Sequence, residues 1–125
     1  MGEEEVPGTE HVVLPGQLSV AATVTDGIDV LTPAGEIDHH TGDALRRSLD
    51  LSGTPRPRVV VDMRQVTFMD SSGINILIGA HQALTRAGGW LRLATVGPAV
   101  MRTLELVGVD TLIDIRETRE QALSG

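Results

Sequence analysis

Cysteine, lysine and tyrosine are all missing from the 125 residues, and the aromatic side chains come down to Phe68 and Trp90. Without cysteine there is no disulfide, no thiolate nucleophile and no Cys-type zinc site. Without lysine, Schiff-base chemistry and the phosphate-binding lysine of a P-loop are excluded. Two rings do not make a stacking platform for single-stranded nucleic acid, so the core has to be aliphatic. Positive charge is also short. Ten arginines face seventeen acids, for a net charge of −7. Glu3, Glu4, Glu5 and Glu10 stand in residues 1–16 with no arginine among them. Such a chain is expected to avoid nucleic acid and anionic membranes. No apolar run reaches the length of a membrane span, and an acidic start is the reverse of a signal peptide's basic region, so the chain reads as cytoplasmic.

What is present is a soluble-domain balance, 41% hydrophobic and 22% charged, in a length that suits one domain. Residues 1–16 combine the glutamates with Gly2, Pro7, Gly8, Pro15 and Gly16 and read as a flexible acidic arm. Residues 17–125 read as a single domain. Leu18, Val20, Ala22 and Val24 alternate with Gln17, Ser19, Ala21 and Thr23, which predicts a half-buried strand. Asp26-Gly27 is a hairpin signal, and Ile28 to Ala34 returns as a second strand. Pro33 there requires an unpaired side or a strand end. Thr41 or Asp43 is suited to cap a helix running to about Leu51. Arg58 to Met63 is a continuous apolar run, predicted to be a strand buried on both faces.

Helical spacing then runs through Ile74, Leu77, Ile78, His81, Leu84 and Ala87 to a stop at Gly88-Gly89. Trp90 to Thr95 predicts a strand. Pro98 opens a third helix with Val100, Met101, Leu104 and Val107 inward. Leu112 to Ile115 predicts a last strand, and Thr118 to Ser124 a short last helix. One hairpin followed by repeated αβ units gives an α/β fold: a mixed sheet, antiparallel at the opening hairpin and parallel elsewhere, covered by about four helices.

The strongest local signal is Met69-Asp70-Ser71-Ser72-Gly73, where a loop becomes a helix. Free N–H groups and a partial positive charge gather at such a point. A phosphate added to a serine there leaves the helix intact while changing the surface by about −1.5 to −2 charges. On the residues alone, Asp70 and the serines read more simply as helix caps. The Asp38-His39-His40 cluster has ligand-type side chains, but adjacent histidines diverge and no His pair stands at i, i+4, so no metal site is expected. A serine hydrolase would need a Gly-x-Ser-x-Gly elbow, and Asp70-Ser71-Ser72-Gly73 lacks its first glycine. His81 reads as a packed or partly exposed helix residue and not a catalytic one, and Arg46-Arg47 as solvated charge.

Five segments in order carry a resemblance: Gly35-Glu36-Ile37-Asp38-His39-His40, Val59-Val60-Val61-Asp62, Phe68-Met69-Asp70-Ser71-Ser72-Gly73, Gly88-Gly89 before a strand, and Pro98-Ala99-Val100 opening a helix. Over about residues 17–123 the chain resembles the anti-sigma factor antagonists, small bacterial STAS-domain proteins. The resemblance implies a STAS-type sheet and a binding protein with no catalysis and no cofactor of its own. It implies that the unmodified form binds an anti-sigma factor that is also a serine kinase, freeing a sigma factor. Phosphorylation then breaks the complex, and a serine phosphatase restores it. The acceptor implied is Ser71, with Ser72 the alternative. Asp38, Asp70, Ser71, Ser72 and Asn75 are the implied docking residues, with Asp70 positioning the hydroxyl or taking its proton. A STAS scaffold without a phospho-switch is the second reading. Asn75 stands where the family often has a second glycine, and Pro33 and the long acidic arm also depart from the pattern.

Overall fold

The computed structural model describes residues 17–51 and 53–124, so the reading of residues 1–16 as an acidic arm lies outside the described residues. Strand β1 (Leu18–Thr25) turns through Asp26 and Gly27, with φ of 51° and 77°, into β2 (Ile28–Ile37). That is the left-handed pair a two-residue hairpin demands. Helix α1 (Gly42–Ser48), β3 (Arg58–Asp62), β4 (Val66–Met69), α2 (Ser71–Arg86), β5 (Trp90–Ala94), α3 (Pro98–Leu106), β6 (Asp114–Arg116) and α4 (Arg119–Leu123) follow. The sheet order is β1-β2-β3-β5-β6, with β4 on the far half of β2. Among the described strands, only β1 runs antiparallel to its neighbour.

The parallel crossovers put α1, α2 and α3 on one face, over Leu31, Val59, Val61, Leu91 and Leu93. The other face carries α4, whose Ala122 and Leu123 meet Ile28, Val30, Val60 and Ala94. Val59, Val60 and Val61 are fully buried, as a strand covered on both faces requires. Polar anchors tie down the short α4. Arg119 bonds the buried Asp62 at 3.1 Å and Thr32 at 3.1 Å. Arg92 donates to the carbonyls of Ala122 and Ser124 and lies 3.8 Å from the centre of the Trp90 ring.

Four expectations are corrected. β4 was not expected as a strand. It has only four residues, and its register with β2 jumps from Gly35↔Val66 to Glu36↔Phe68. Thr67 is therefore an extra residue, and the bulge removes the alternation that marks a strand. The last strand begins at Asp114, because Val109–Thr111 forms a 3-10 turn that buries Val109 and Ile113 and exposes Leu112. Ala22 and Val24 are exposed on β1, and Val107 is exposed at the end of α3. β1 is the sheet edge, and Val107 lies past the last turn of α3.

Pro33 sits in the middle of β2, opposite Val20. Glu36 N–H donates to Gln17 O, and this pair lies eight residues along β1 from the Thr25–Ile28 pair that Asp26-Gly27 closes, so the two are in phase. Antiparallel bonding alternates, so Pro33 does not bond to β1. Its missing N–H faces the stretch where β2 passes from its β3 partners (Asp29 to Leu31) to its β4 partners (Gly35 to Ile37). No ladder bond is lost.

Candidate functional site

β2 and β4 are parallel and end in register, Ile37 beside Met69. The residues that leave those strands, Asp38 and Asp70, therefore emerge side by side, and Asp70 N–H bonds Ile37 O at 3.1 Å. Asp70 is extended, and its carboxylate accepts the Ser72 N–H at 2.8 Å, capping α2. Ser71 is the first residue of that helix and is exposed. Its hydroxyl makes no hydrogen bond among the described residues. Ser72 is half-buried, and Asn75 is exposed one turn after Ser71 on the same helix face.

Asp38 organises the neighbouring loop. Its Oδ1 accepts the His40 N–H at 2.9 Å, the Thr41 N–H at 3.0 Å and the Thr41 hydroxyl at 3.2 Å. The Thr41 N–H above all, with the other donors helping and partial desolvation opposing, holds the Asp38 carboxyl below the usual carboxylate range. Asp38 is thus a charged carboxylate with Oδ2 turned to no described partner. Thr41 occupies the N-cap position of α1 without capping it by its side chain. Its hydroxyl serves Glu36 O at 2.7 Å instead, which the expectation of a Thr41 cap missed.

Gly73 explains the last letter of the Asp-Ser-Ser-Gly run. It is buried, and a Cβ there would stand 2.4 Å from Met69 Cγ and 2.8 Å from Ile37 Cγ2. The first turn of α2 rests directly on the ends of β2 and β4, and only glycine permits that approach. Gly73→Ala is expected to lift this turn and cost about 1–3 kcal/mol, the range for an overpacked core. A melting curve like the parent's would show that the turn accommodates the methyl.

Residues outside the docking set named from the sequence also gather here. An open groove of about 530 Å³ runs between α1 and α2. Leu49, Ile76 and Ala80 line it, with Arg46, Arg47 and Asn75. Arg46 pairs with Asp43 one turn before it. The groove begins where Asn75 stands, so the Ser71 surface continues into it. The signal was Gly42: a Cβ there would meet Ile76 Cδ1 at 2.6 Å, so α1 and α2 approach closely at their starts. The His39 and His40 rings meet at 3.9 Å between centres, tilted by 40°, and no group of three metal-ligating side chains forms among the described residues.

The STAS domain profile matches residues 19–122. The anti-sigma F factor antagonist of Paenibacillus polymyxa is 30% identical over 100 residues, covering 78% of this chain and 86% of that one. The chain belongs to the anti-sigma factor antagonist family of STAS-domain proteins. The anti-sigma-F factor antagonist RsfB of Mycobacterium tuberculosis is 30% identical over 110 residues, 86% of this chain and 89% of its own. The crystal structure of an anti-sigma factor antagonist from Mycobacterium paratuberculosis superposes with a TM-score of 0.80 at 28% identity, covering 90% and 96% of the two chains. The fold is shared by SpoIIAA, a Bacillus cell fate determinant solved in its phosphorylated form, with a TM-score of 0.65 at 23% identity over 84% and 96% of the chains. Among the described residues, no helix of this antagonist-family chain is long and apolar enough to cross a membrane.

Proposed function

We propose that this protein is a phospho-switched anti-sigma factor antagonist whose acceptor is Ser71. In this reading the unmodified surface, with Asp38, Asp70, Ser71, Ser72 and Asn75, docks on an anti-sigma factor that is also a serine kinase, and a sigma factor is released. The observation that carries the reading is an exposed, unbonded Ser71 hydroxyl on the first turn of a 16-residue helix. It stands beside a charged Asp38, one helical turn before Asn75, which lines the α1–α2 groove.

The chain has no lysine and no Gly-rich phosphate cradle, so the nucleotide comes with the partner. The Ser71 oxygen attacks the γ-phosphorus of ATP, ADP leaves, and the hydroxyl proton passes to a base at the interface. Asp70 already accepts the Ser72 N–H, so its part is to hold the turn that presents Ser71. The phosphoserine dianion then lies at a helix N-terminus, where it is tolerated. A serine phosphatase completes the cycle.

The test is incubation of the full chain with its anti-sigma factor and ATP, followed by phosphosite mapping. Phosphate on Ser71, abolished by Ser71→Ala, is the expected result. Phosphate on Ser72 would move the switch by one residue. Tight binding with no phosphate on either serine would mean a STAS scaffold without a switch.

A further inference from the structure

Among the described residues, nothing protects the outer edge of β1. Its eight residues, Leu-Ser-Val-Ala-Ala-Thr-Val-Thr, contain no charge, no proline and no glycine. Their pairing with β2 is continuous, so no bulge twists the edge away. Edge strands in soluble proteins are normally blunted by one of these devices. Ala21 to Thr25 are exposed, and Val24 is 68% exposed.

The register says which groups are free. Gln17 bonds Glu36, and Thr25 and Ile28 close the two-residue hairpin, so the odd-numbered residues of β1 bond to β2. The N–H and C=O groups of Leu18, Val20, Ala22 and Val24 point outward with no partner among the described residues. We propose that this edge is a homodimer interface, in which β1 pairs antiparallel with β1 of a second copy through a two-fold axis at Ala21.

One register uses all of these groups. Leu18 pairs with Val24 of the other copy, Val20 with Ala22, Ala22 with Val20 and Val24 with Leu18. Ser19 then lies across from Thr23, and Ala21 across from itself, where side chains come closest and small ones fit. A strand's own edge is complementary to itself under a two-fold, which is the isologous arrangement of most homodimers. The pairing keeps the two α1 helices on the same side of the joined sheet. Exposed Val24 of one copy comes beside half-buried Leu18 of the other, at the margin of α1.

Charge selects the same place. The thirteen acids and ten arginines of residues 17–125 all lie outside β1, so two copies meet along that strip without opposing like charges within it, while their net negative charge opposes approach in general. A single strand pair is small beside the ~1,200–2,000 Å² of a stable interface. The dimer is therefore a weak one that strengthens as salt screens the charge. The two Ser71 sites lie at opposite ends of the joined sheet, so both stay open to a partner.

Sedimentation of the full chain up to about 1 mM, at low and high salt, tests this. The expected result is a shift from monomer to dimer mass with concentration, at lower concentration in high salt. Ala22→Pro removes one outward N–H and no bond to β2, and is expected to stay monomeric with a cooperative melt. Ala21→Lys and Ala21→Glu place like charges on the axis. Each alone is expected to be monomeric, and an equimolar mixture to recover the dimer. A parent that stays monomeric at high salt overturns the proposal, as do substituted chains that dimerise like the parent. A dimer that appears only when residues 1–14 are deleted also overturns it, by assigning the edge to the chain's own N-terminal residues.

Discussion

Ser71→Asp is expected to bind the anti-sigma partner about 10²–10³-fold more weakly than the parent while melting at the same temperature. The two halves of this expectation have separate causes. A carboxylate on the first turn of α2 meets free N–H groups and the positive end of the helix, a favourable interaction of about 0.3–1 kcal/mol. Ser71 is exposed, so no packing is lost. In the complex the same charge must be stripped of water beside the charged Asp38. A loss of about 3–4 kcal/mol gives the stated weakening. Ser71→Ala should bind like the parent, resist phosphorylation and leave the sigma factor continuously free. Calorimetry with the purified partner checks both. Parent-like affinity for Ser71→Asp would put the switch at another residue.

Val61→Asp is expected to abolish folding. Val61 is 0% exposed and packs in the main core, between Leu31 of β2 and Leu93 of β5. A carboxylate there has no cation in that cluster and no water. Its burial costs several kcal/mol even after protonation, on top of the lost valine packing, against a typical total stability of about 5–15 kcal/mol. The neighbouring position is a weaker test. Val60 faces α4 and stands in register with Arg92, so an aspartate at 60 has a guanidinium beside it. Circular dichroism with thermal melts reads the result. A cooperative transition near the parent's would mean that the core around Val61 relaxes enough to admit water or a counter-charge.

Local chemistry makes some elements legible from residue order. Asp26-Gly27 is the pair a two-residue hairpin needs, and both adopt positive φ. Three consecutive valines announce a strand covered on both faces. Pro98 and Gly108 bracket α3. β4 is illegible because its bulge cancels the period-two pattern, and a strand of four residues offers no other signal. The exposure of Ala22 and Val24 is illegible for a different reason. Alternation says which side chains share a face, and α1 covers that face only near Leu18 and Val20.

The order of Asp70, Ser71, Ser72 and Gly73 alone determined that a capped helix starts there and that a hydroxyl stands on its first turn. Absent cysteine and lysine determined which chemistries the chain does not carry itself. Only the tertiary structure decided the rest. The parallel register of β2 and β4 brings Asp38, 32 positions upstream of Asp70, out at the same level as the serine. The close approach of α1 to α2 leaves a groove beside Asn75, with Arg46 and Arg47, exposed as expected, along its rim. These are contacts between residues far apart in the chain. They depend on how strands register and how near helices pack, and neither quantity is written in local residue order.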